Sequence, residues 1–436
     1  MPEPLIFVAT HDIAGRTRGK AFPAADRALR LTRGLGWTPT NVQITCFDVI
    51  ADSPFGALGD LLLLPDAATE VKLADPGGGP DEHFMLGDIL TTEGTPWACC
   101  TRAILRGALD RLNRVAGLTL HGAFEHEFQL TPGGTGPGWA YTLDGFRAQA
   151  GLLGDLMGAM RATGLDPDTI MKEYGPDQYE VTMGPATGVT IADQSTILRE
   201  LTRTIARRHG EVASFTPIRD PASVGNGAHI HMSFSDAAGD PATHDPDGPR
   251  GMSALTGSFI AGILKYLDRI LAFTAPSVIS YARLTPHRWS AAYNNLGFRD
   301  REAAVRICPV TARDPKAIAR QYHFEYRAAD SAAAPHLALA AIVHAGVQGI
   351  EEGLPPPPAS EEDLSLLDAA TLADRGYLRL PETLGAALDR LEASETVAGW
   401  FPEGFLPVYL AHKRFEAAHV AGMAPAEVHT LYGSVY

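Results

Sequence analysis

The chain has 436 residues, 45% of them hydrophobic, with a formal net charge of −15 and a pI near 5.4. That length supports a large core spread over two or three domains, and the acidic balance excludes nucleic acid as the main partner, because phosphate binding needs a basic face. Cys46, Cys99, Cys100 and Cys308 form no Cys-x-x-Cys pair, the start MPEPLIFVATHDIAG lacks a basic segment followed by an apolar one, and no apolar run approaches a membrane span. A cytoplasmic protein is therefore expected, without a disulfide framework, a thiolate zinc site or a membrane partner.

In the first hundred residues, apolar runs at 5–9, 42–47 and 61–64 predict strands, and the pattern over Ala24–Gly34 predicts a helix. The segments 65–69 and 75–80 carry turn residues. From Thr101 the texture changes. Ile104, Leu105, Ala108, Leu109 and Leu112 share one side of an amphipathic helix, and further helices are predicted near 146–163, 193–208, 253–273 and 336–349. GGTGPG at 133–138 and PPPP at 355–358 mark loops, and no internal repeat is found. The pattern is α+β. Neither standard phosphate cradle is present: GRTRGKA at 15–21 is one residue short of a P-loop, and GNGAHI at 225–230 lacks the last glycine of the dinucleotide fingerprint.

Four segments carry the chemistry. Period-2 alternation places Glu125 and Glu127 on one face of AFEHEFQL, and Gln178, Glu180 and Thr182 on one face of QYEVTM, with Glu173 just upstream. His229, His231 and Ser233 align in HIHMSF, and His323, Glu325 and Arg327 align opposite Phe324 and Tyr326. Any one of these strands alone is explained by a solvated outer face. Together they are unusual, because the polar positions are mostly ligand-capable Glu and His rather than Lys, Thr or Ser. Carboxylates with an imidazole suit magnesium or manganese better than zinc. Converging glutamates also need cations to relieve their repulsion, and two divalent ions are common equipment for phosphoryl transfer.

Five ordered blocks then resemble the glutamine synthetases and the related γ-glutamyl-amine ligases. They are Glu125-His126-Glu127, the run from Lys172 to Glu180, the run from Gly225 to Ser233, Arg283-Leu284 continuing through Arg301 and Arg306, and Glu325-Tyr326-Arg327 with the following APHLALAA. The resemblance implies a β-grasp N-terminal domain over 1–100 and a catalytic domain over 101–436 around a curved antiparallel sheet. It implies two stacked rings of identical subunits, with each active site between neighbours. One metal would be held by Glu127, Glu173 and Glu180, and the other by Glu125, His229 and Glu325. His231, Ser233, Arg301 and Arg306 would contact ATP. Arg283, Arg327, Gly225 and Trp289 would meet the substrates, with Arg301, Glu325 and Arg327 at the reacting centre. His121, His126, His323 and His344 are assigned structural roles.

The expected reaction is ATP-dependent phosphorylation of a γ-carboxylate, followed by attack of an amine on the acyl phosphate. The family's ammonium-holding glutamate, six residues after the arginine matched by Arg283, is Trp289 here, and Thr38 falls near the position of its second ammonium acid. An indole offers an apolar or cation–π surface and accepts no proton. The nitrogen donor is therefore expected to be an organic amine, and glutamate or a similar acid its partner. Asp177 and Ala334 depart from the family's Gly and Asn at positions expected near the substrate pocket. Three alternatives remain at this stage: ammonia as donor, a guanidino-kinase-like phosphotransferase, and a non-catalytic ring-forming homologue.

Overall fold

The computed structural model describes residues 3–436. Its smaller sheet contains β1 (Leu5–His11), β2 (Thr17–Pro23), β3 (Leu35–Trp37), β4 (Leu61–Pro65), β5 (Val71–Leu73) and β6 (Glu82–Thr91), with α1 (Arg27–Arg33) between β2 and β3. The order is β2-β1-β6-β4-β3, with β5 on β6; β1 runs parallel to β6 and antiparallel to β2. Alternate residues of these strands, among them Ile6, Val8, Leu61, Leu63, Met85 and Ile89, fill a separate small core. The run at 42–47 is no strand. Pro39–Gln43 forms a 3-10 turn with proline at its start, followed by an isolated bridge between Ile44 and Ile50. A proline at the first turn favours helical geometry and supplies no ladder N–H, so local turn chemistry overrides β-propensity there.

Next come α2 (Thr101–Ala116), β7 (Thr119–Thr131), α3 (Leu143–Arg147), α4 (Ala150–Ala162), β8 (Pro167–Lys172), β9 (Gln178–Met183), β10 (Ala186–Thr187), α5 (Thr190–Arg208), β11 (Val212–Ser214) and β12 (Ala228–Ser235). The chain continues through α6 (Ala254–Thr274), α7 (Ser280–Arg283), β13 (Leu296–Phe298), β14 (Val305–Ile307), α8 (Pro315–Gln321), β15 (Phe324–Tyr326), α9 (Pro335–Glu351) and β16 (Ala359–Ser360), and ends in five short helices beyond a 3-10 turn at 364–366: α10 (Ala369–Asp374), α11 (Leu384–Glu392), α12 (Glu395–Ala398), α13 (Phe405–Val420) and α14 (Pro425–Gly433). The helix expected over 146–163 is divided, because Gln149 leaves helical geometry and starts α4 afresh.

These strands make a ten-stranded sheet ordered β16-β13-β14-β15-β12-β7-β9-β8, with β10 and β11 also on β7. Its centre is antiparallel, while β13 pairs in parallel with β14 and β16 at one edge. One face of the sheet packs on helices. Ile230, Met232, Phe234, Phe324 and Tyr326 meet the apolar faces of α2, α6 and α9, and Phe128, Tyr179 and Val181 meet α4 and α5. The helices α6 and α9 come unusually close. A Cβ on Gly262 would overlap the Ala345 carbonyl, and one on Gly349 would overlap the Ser258 carbonyl.

Between the two sheets lies a buried ionic hub. Arg102 of α2 donates two hydrogen bonds to the Asp193 carboxylate of α5, at 2.9 and 2.8 Å, and one to Asp66 at 2.8 Å. Its third nitrogen lies 3.1 Å from Asp88 of β6, which Arg106 also clasps. His336 of α9 completes the Asp193 shell at 2.7 Å.

Candidate active site

The exposed face of the large sheet is concave and polar, and strand register decides what meets on it. Glu125 stands opposite His229, Glu127 opposite Glu180, His231 opposite Glu325, and Arg306 opposite Glu325. Because facing residues on neighbouring antiparallel strands have closely spaced Cβ atoms, five strands deliver one contiguous row of acids, histidines and arginines. The row forms the floor of a cleft of about 600 Å³. A second cavity of about 660 Å³, lined partly by His121, His231, Ser233 and Arg320, shares Glu125, Glu180 and His231 with it.

His229 donates from Nδ1 to Glu125 at 2.6 Å, and Nε2 of His231 sits 3.4 Å from Glu125 and 3.3 Å from Glu325. Arg306 and Arg327 each donate to Glu325 at 2.8 Å. Glu127 accepts from the Gly227 backbone at 2.7 Å and from Gln178 at 3.2 Å. The electrostatic consequences divide along the row. Burial pushes the carboxyl of Glu325 up, but Arg327 and the two histidines outweigh it and hold it down at about 2. Burial and the neighbouring glutamates raise Glu127 to about 7, and burial with Glu125, Glu127 and Glu173 raises Glu180 further. A carboxylate cluster that resists ionisation in this way is well matched to divalent cations.

Ligand atoms from Glu125, His229 and Glu325 lie within 4.8 Å of one another, as do those from Glu127, Glu180 and His229. The first group coincides with one expected trio. In the second, His229 stands where Glu173 was expected. Glu173 is turned to other partners: Tyr141 donates a 2.8 Å hydrogen bond to it, and the Tyr174 backbone donates another at 2.8 Å.

Tyr141 and Tyr174 were not singled out from sequence. Both approach Trp289, with ring centroids 6.4 and 6.0 Å away; Tyr141 and Trp289 line one side of the cleft, and Tyr174 packs against Trp289 outside it. Trp289 is 54% exposed and has a positive φ of 54°. Glu302 holds it there by accepting from the backbone N–H groups of His287 and Trp289 at 3.0 and 3.1 Å. Tyr174 lies inside one of the quoted blocks, so its neighbour Glu173 was a usable signal; Tyr141 sits on an irregular loop with no periodicity to mark it.

Arg301, Arg306 and Arg327 line the cleft, but Arg283 and Gly225 are not among its lining residues. Arg283 is buried behind the Gly225–Gly227 turn, with Nη1 unpaired, and a Cβ on either glycine would collide with its side chain. Asp177 and Ala334 also stand away from the pocket. Asp177 accepts from the backbones of Gly134 and Thr135 at 2.9 and 2.8 Å, and has a positive φ of 50°. An aspartate tolerates that left-handed backbone better than most residues, which accounts for its taking a glycine's place. Ala334 precedes α9 as its N-cap. His126 is buried between Ser195 and Ser331 on the helix side. His323, assigned a structural role from sequence, instead faces the cleft beside Cys308 and His231.

The glutamine synthetase catalytic-domain model matches residues 98–430, and the glutamine synthetase N-terminal-domain model matches residues 2–97. A γ-glutamylpolyamine synthetase, GlnA3 of Streptomyces coelicolor, is 34% identical over 415 residues, which covers 92% of this chain and 85% of the relative. A solved structure described as a novel glutamine synthase homolog aligns with a TM-score of 0.92 at 40% identity, covering 100% of this chain and 99% of its own. A GmaS complex with ADP aligns with a TM-score of 0.82 at 26% identity, covering 98% and 96%.

Proposed function

This chain belongs to the glutamine synthetase family, and from that premise we propose that it is an ATP-dependent ligase joining the γ-carboxylate of glutamate, or a similar acid, to an organic amine. The family's members use ATP and divalent metal ions. The observation that carries the amine reading is the pair of aromatic rings, Trp289 and Tyr141, that lines the cleft beside Glu173: π faces over an acidic floor favour an alkylammonium group more than a small hydrated ammonium ion. The relative from S. coelicolor is named for polyamines, so polyamines head the list of donors.

Glu125, His229 and Glu325 would hold one ion, magnesium or manganese, and Glu127 with Glu180, joined by Glu173 after reorientation, the other. Such ions neutralise charge on the transferring phosphoryl group. His231 and Ser233 open onto the second cavity and suit the nucleotide. Arg301 and Arg306 present guanidinium N–H groups to ATP phosphates. Arg327 fits a substrate carboxylate, with Arg283 buttressing the Gly225 turn behind it. The carboxylate attacks the γ-phosphorus, ADP leaves, and the amine displaces phosphate from the acyl phosphate and loses a proton.

The assembly belongs to the same reading: a small β-grasp domain over 1–100 closes the cleft formed by 101–436 of a neighbour in two stacked rings. Light scattering that finds a monomer at working concentrations would count against it. The chemistry is tested with ATP, magnesium and glutamate against ammonium and a panel of alkyl-, hydroxyalkyl-, poly- and arylamines. Phosphate release matched by amide formation is expected, faster with an organic amine than with ammonium. Faster turnover with ammonium overturns the amine reading, and a stable phosphorylated product without amide overturns the ligase reading. Trp289→Ala is expected to raise KM for the amine about tenfold, the loss of roughly 1–2 kcal/mol of cation–π contact, with KM for ATP unchanged.

A further inference from the structure

His231, Cys308 and His323 offer ligand atoms that all lie within 4.8 Å of one another, at the end of the cleft shared with the second cavity. The backbone produces this meeting. Arg306 pairs with Glu325 and Ile307 with Phe324, so Cys308 falls opposite His323, where its N–H donates to the His323 carbonyl at 3.1 Å. His231 pairs with Glu325 on the other side of β15, and period-2 alternation turns all three side chains to the concave face.

We infer that these three residues form a third cation site, distinct in chemistry from the carboxylate sites and selective for a soft divalent ion such as Zn²⁺. Two imidazoles and a thiolate are borderline-soft donors that magnesium does not favour. The spacing suits zinc. Zn–S of about 2.3 Å and Zn–N of about 2.0–2.1 Å at a tetrahedral angle place sulfur and nitrogen about 3.6 Å apart. Sγ of Cys308 and Nδ1 of His231 lie 3.8 Å apart here.

The surrounding hydrogen bonds also orient the rings as metal sites require. Nδ1 of His323 donates to the Gln321 carbonyl at 2.7 Å, which leaves Nε2 as the lone-pair nitrogen. Nε2 of His231 faces the carboxylates of Glu125 and Glu325 at 3.4 and 3.3 Å, which leaves Nδ1 toward the thiol. A carbonyl behind one ring and carboxylates behind the other match the usual outer shell of metal-binding histidines. Three protein ligands leave the fourth position to water, and binding releases the thiol proton to solvent. With zinc in place His231 is withdrawn from the nucleotide, so the site acts as an inhibitory metal sensor that competes with ATP. That inhibitory arm rests on the ligase reading; the binding arm does not.

The test uses the full chain in excess Mg²⁺, titrated with Co²⁺ and then Zn²⁺. One equivalent of Co²⁺ is expected to give a thiolate-to-cobalt charge-transfer band that Zn²⁺ abolishes. Cys308→Ser should lose the band, and His323→Gln should weaken binding about tenfold or more. Absence of the band in the unmodified protein, or its persistence in Cys308→Ser, overturns the site. In the ligase assay Zn²⁺ is expected to raise the apparent KM for ATP, and Cys308→Ser to need about tenfold more Zn²⁺ for the same effect. Equal inhibition of both proteins overturns the regulatory role. If neither protein turns over ATP, the ligase reading fails and the cobalt band still decides the site.

Discussion

The Arg102 hub and the Glu127–Glu180 end of the cleft floor are both buried clusters of ionisable groups, yet they treat charge in opposite ways. Around Arg102 each carboxylate has a donor, and Arg102 and His336 outweigh burial to hold Asp193 at about 2. On the cleft floor Glu127 faces Glu180 across two strands, and among the described residues neither has a basic side chain within salt-bridge distance. The hub joins the small sheet to α2, α5 and α9, so its matched charges serve assembly. The Glu127–Glu180 end of the cleft is kept unmatched at a cost in stability, as expected where counter-charges arrive with ligands.

Substitutions can separate the two. Arg102→Met should have the largest effect on folding, roughly 3–5 kcal/mol in denaturant unfolding, because it leaves three aspartates facing one another without their shared cation. A loss below about 1 kcal/mol would deny the hub its role. Glu180→Gln should do the reverse. Ligase turnover falls at least about a hundredfold, as when a transition-state contact is removed, while the metal-free protein melts a few degrees higher because the cost of burying that carboxyl in its protonated form is gone. Added Mg²⁺ should raise the Tm of the unmodified protein more than that of the variant.

The smallest effect is in pH dependence. Glu127 has a raised folded-state value of about 7 against an ordinary 4.5, so its contribution to stability is present below about 4.5 and is lost as pH rises through 7. Asp193 has the opposite sign: its contribution is present above the ordinary 3.8 and lost as pH falls toward 2. In metal-free protein, Glu127→Gln should therefore make the slope of unfolding free energy against pH more positive between 4.5 and 7, by at most about 1.4 kcal/mol per pH unit. An unchanged slope would mean that Glu127 ionises freely in the fold.

What the sequence made legible follows from periodicity. Helices such as Thr101–Ala116 and Ala254–Thr274 carry a regular apolar stripe, and the ligand-capable residues of β7, β9, β12 and β15 sit at every second position. Features set by irregular backbone were not legible. The loop that brings Tyr141 to Glu173, the left-handed turn at Trp289 and the 3-10 turn at 39–43 have no repeating pattern. The His231–Cys308–His323 group was missed for another reason. Cysteine spacing along the chain reveals only sites closed by nearby cysteines, whereas here one thiol meets histidines brought in by strand pairing.

The alternation of β12 has a practical consequence for redesign. Inserting or deleting one residue upstream in that strand would exchange His229 and His231 for Ile230 and Met232, and would turn imidazoles into the helix-side core. The strands thus tolerate replacement far better than changes of length. Tyr141 and Trp289 lie on connections outside every ladder, so changes of length there leave the strand pairing that carries the acids in register. Specificity libraries belong there.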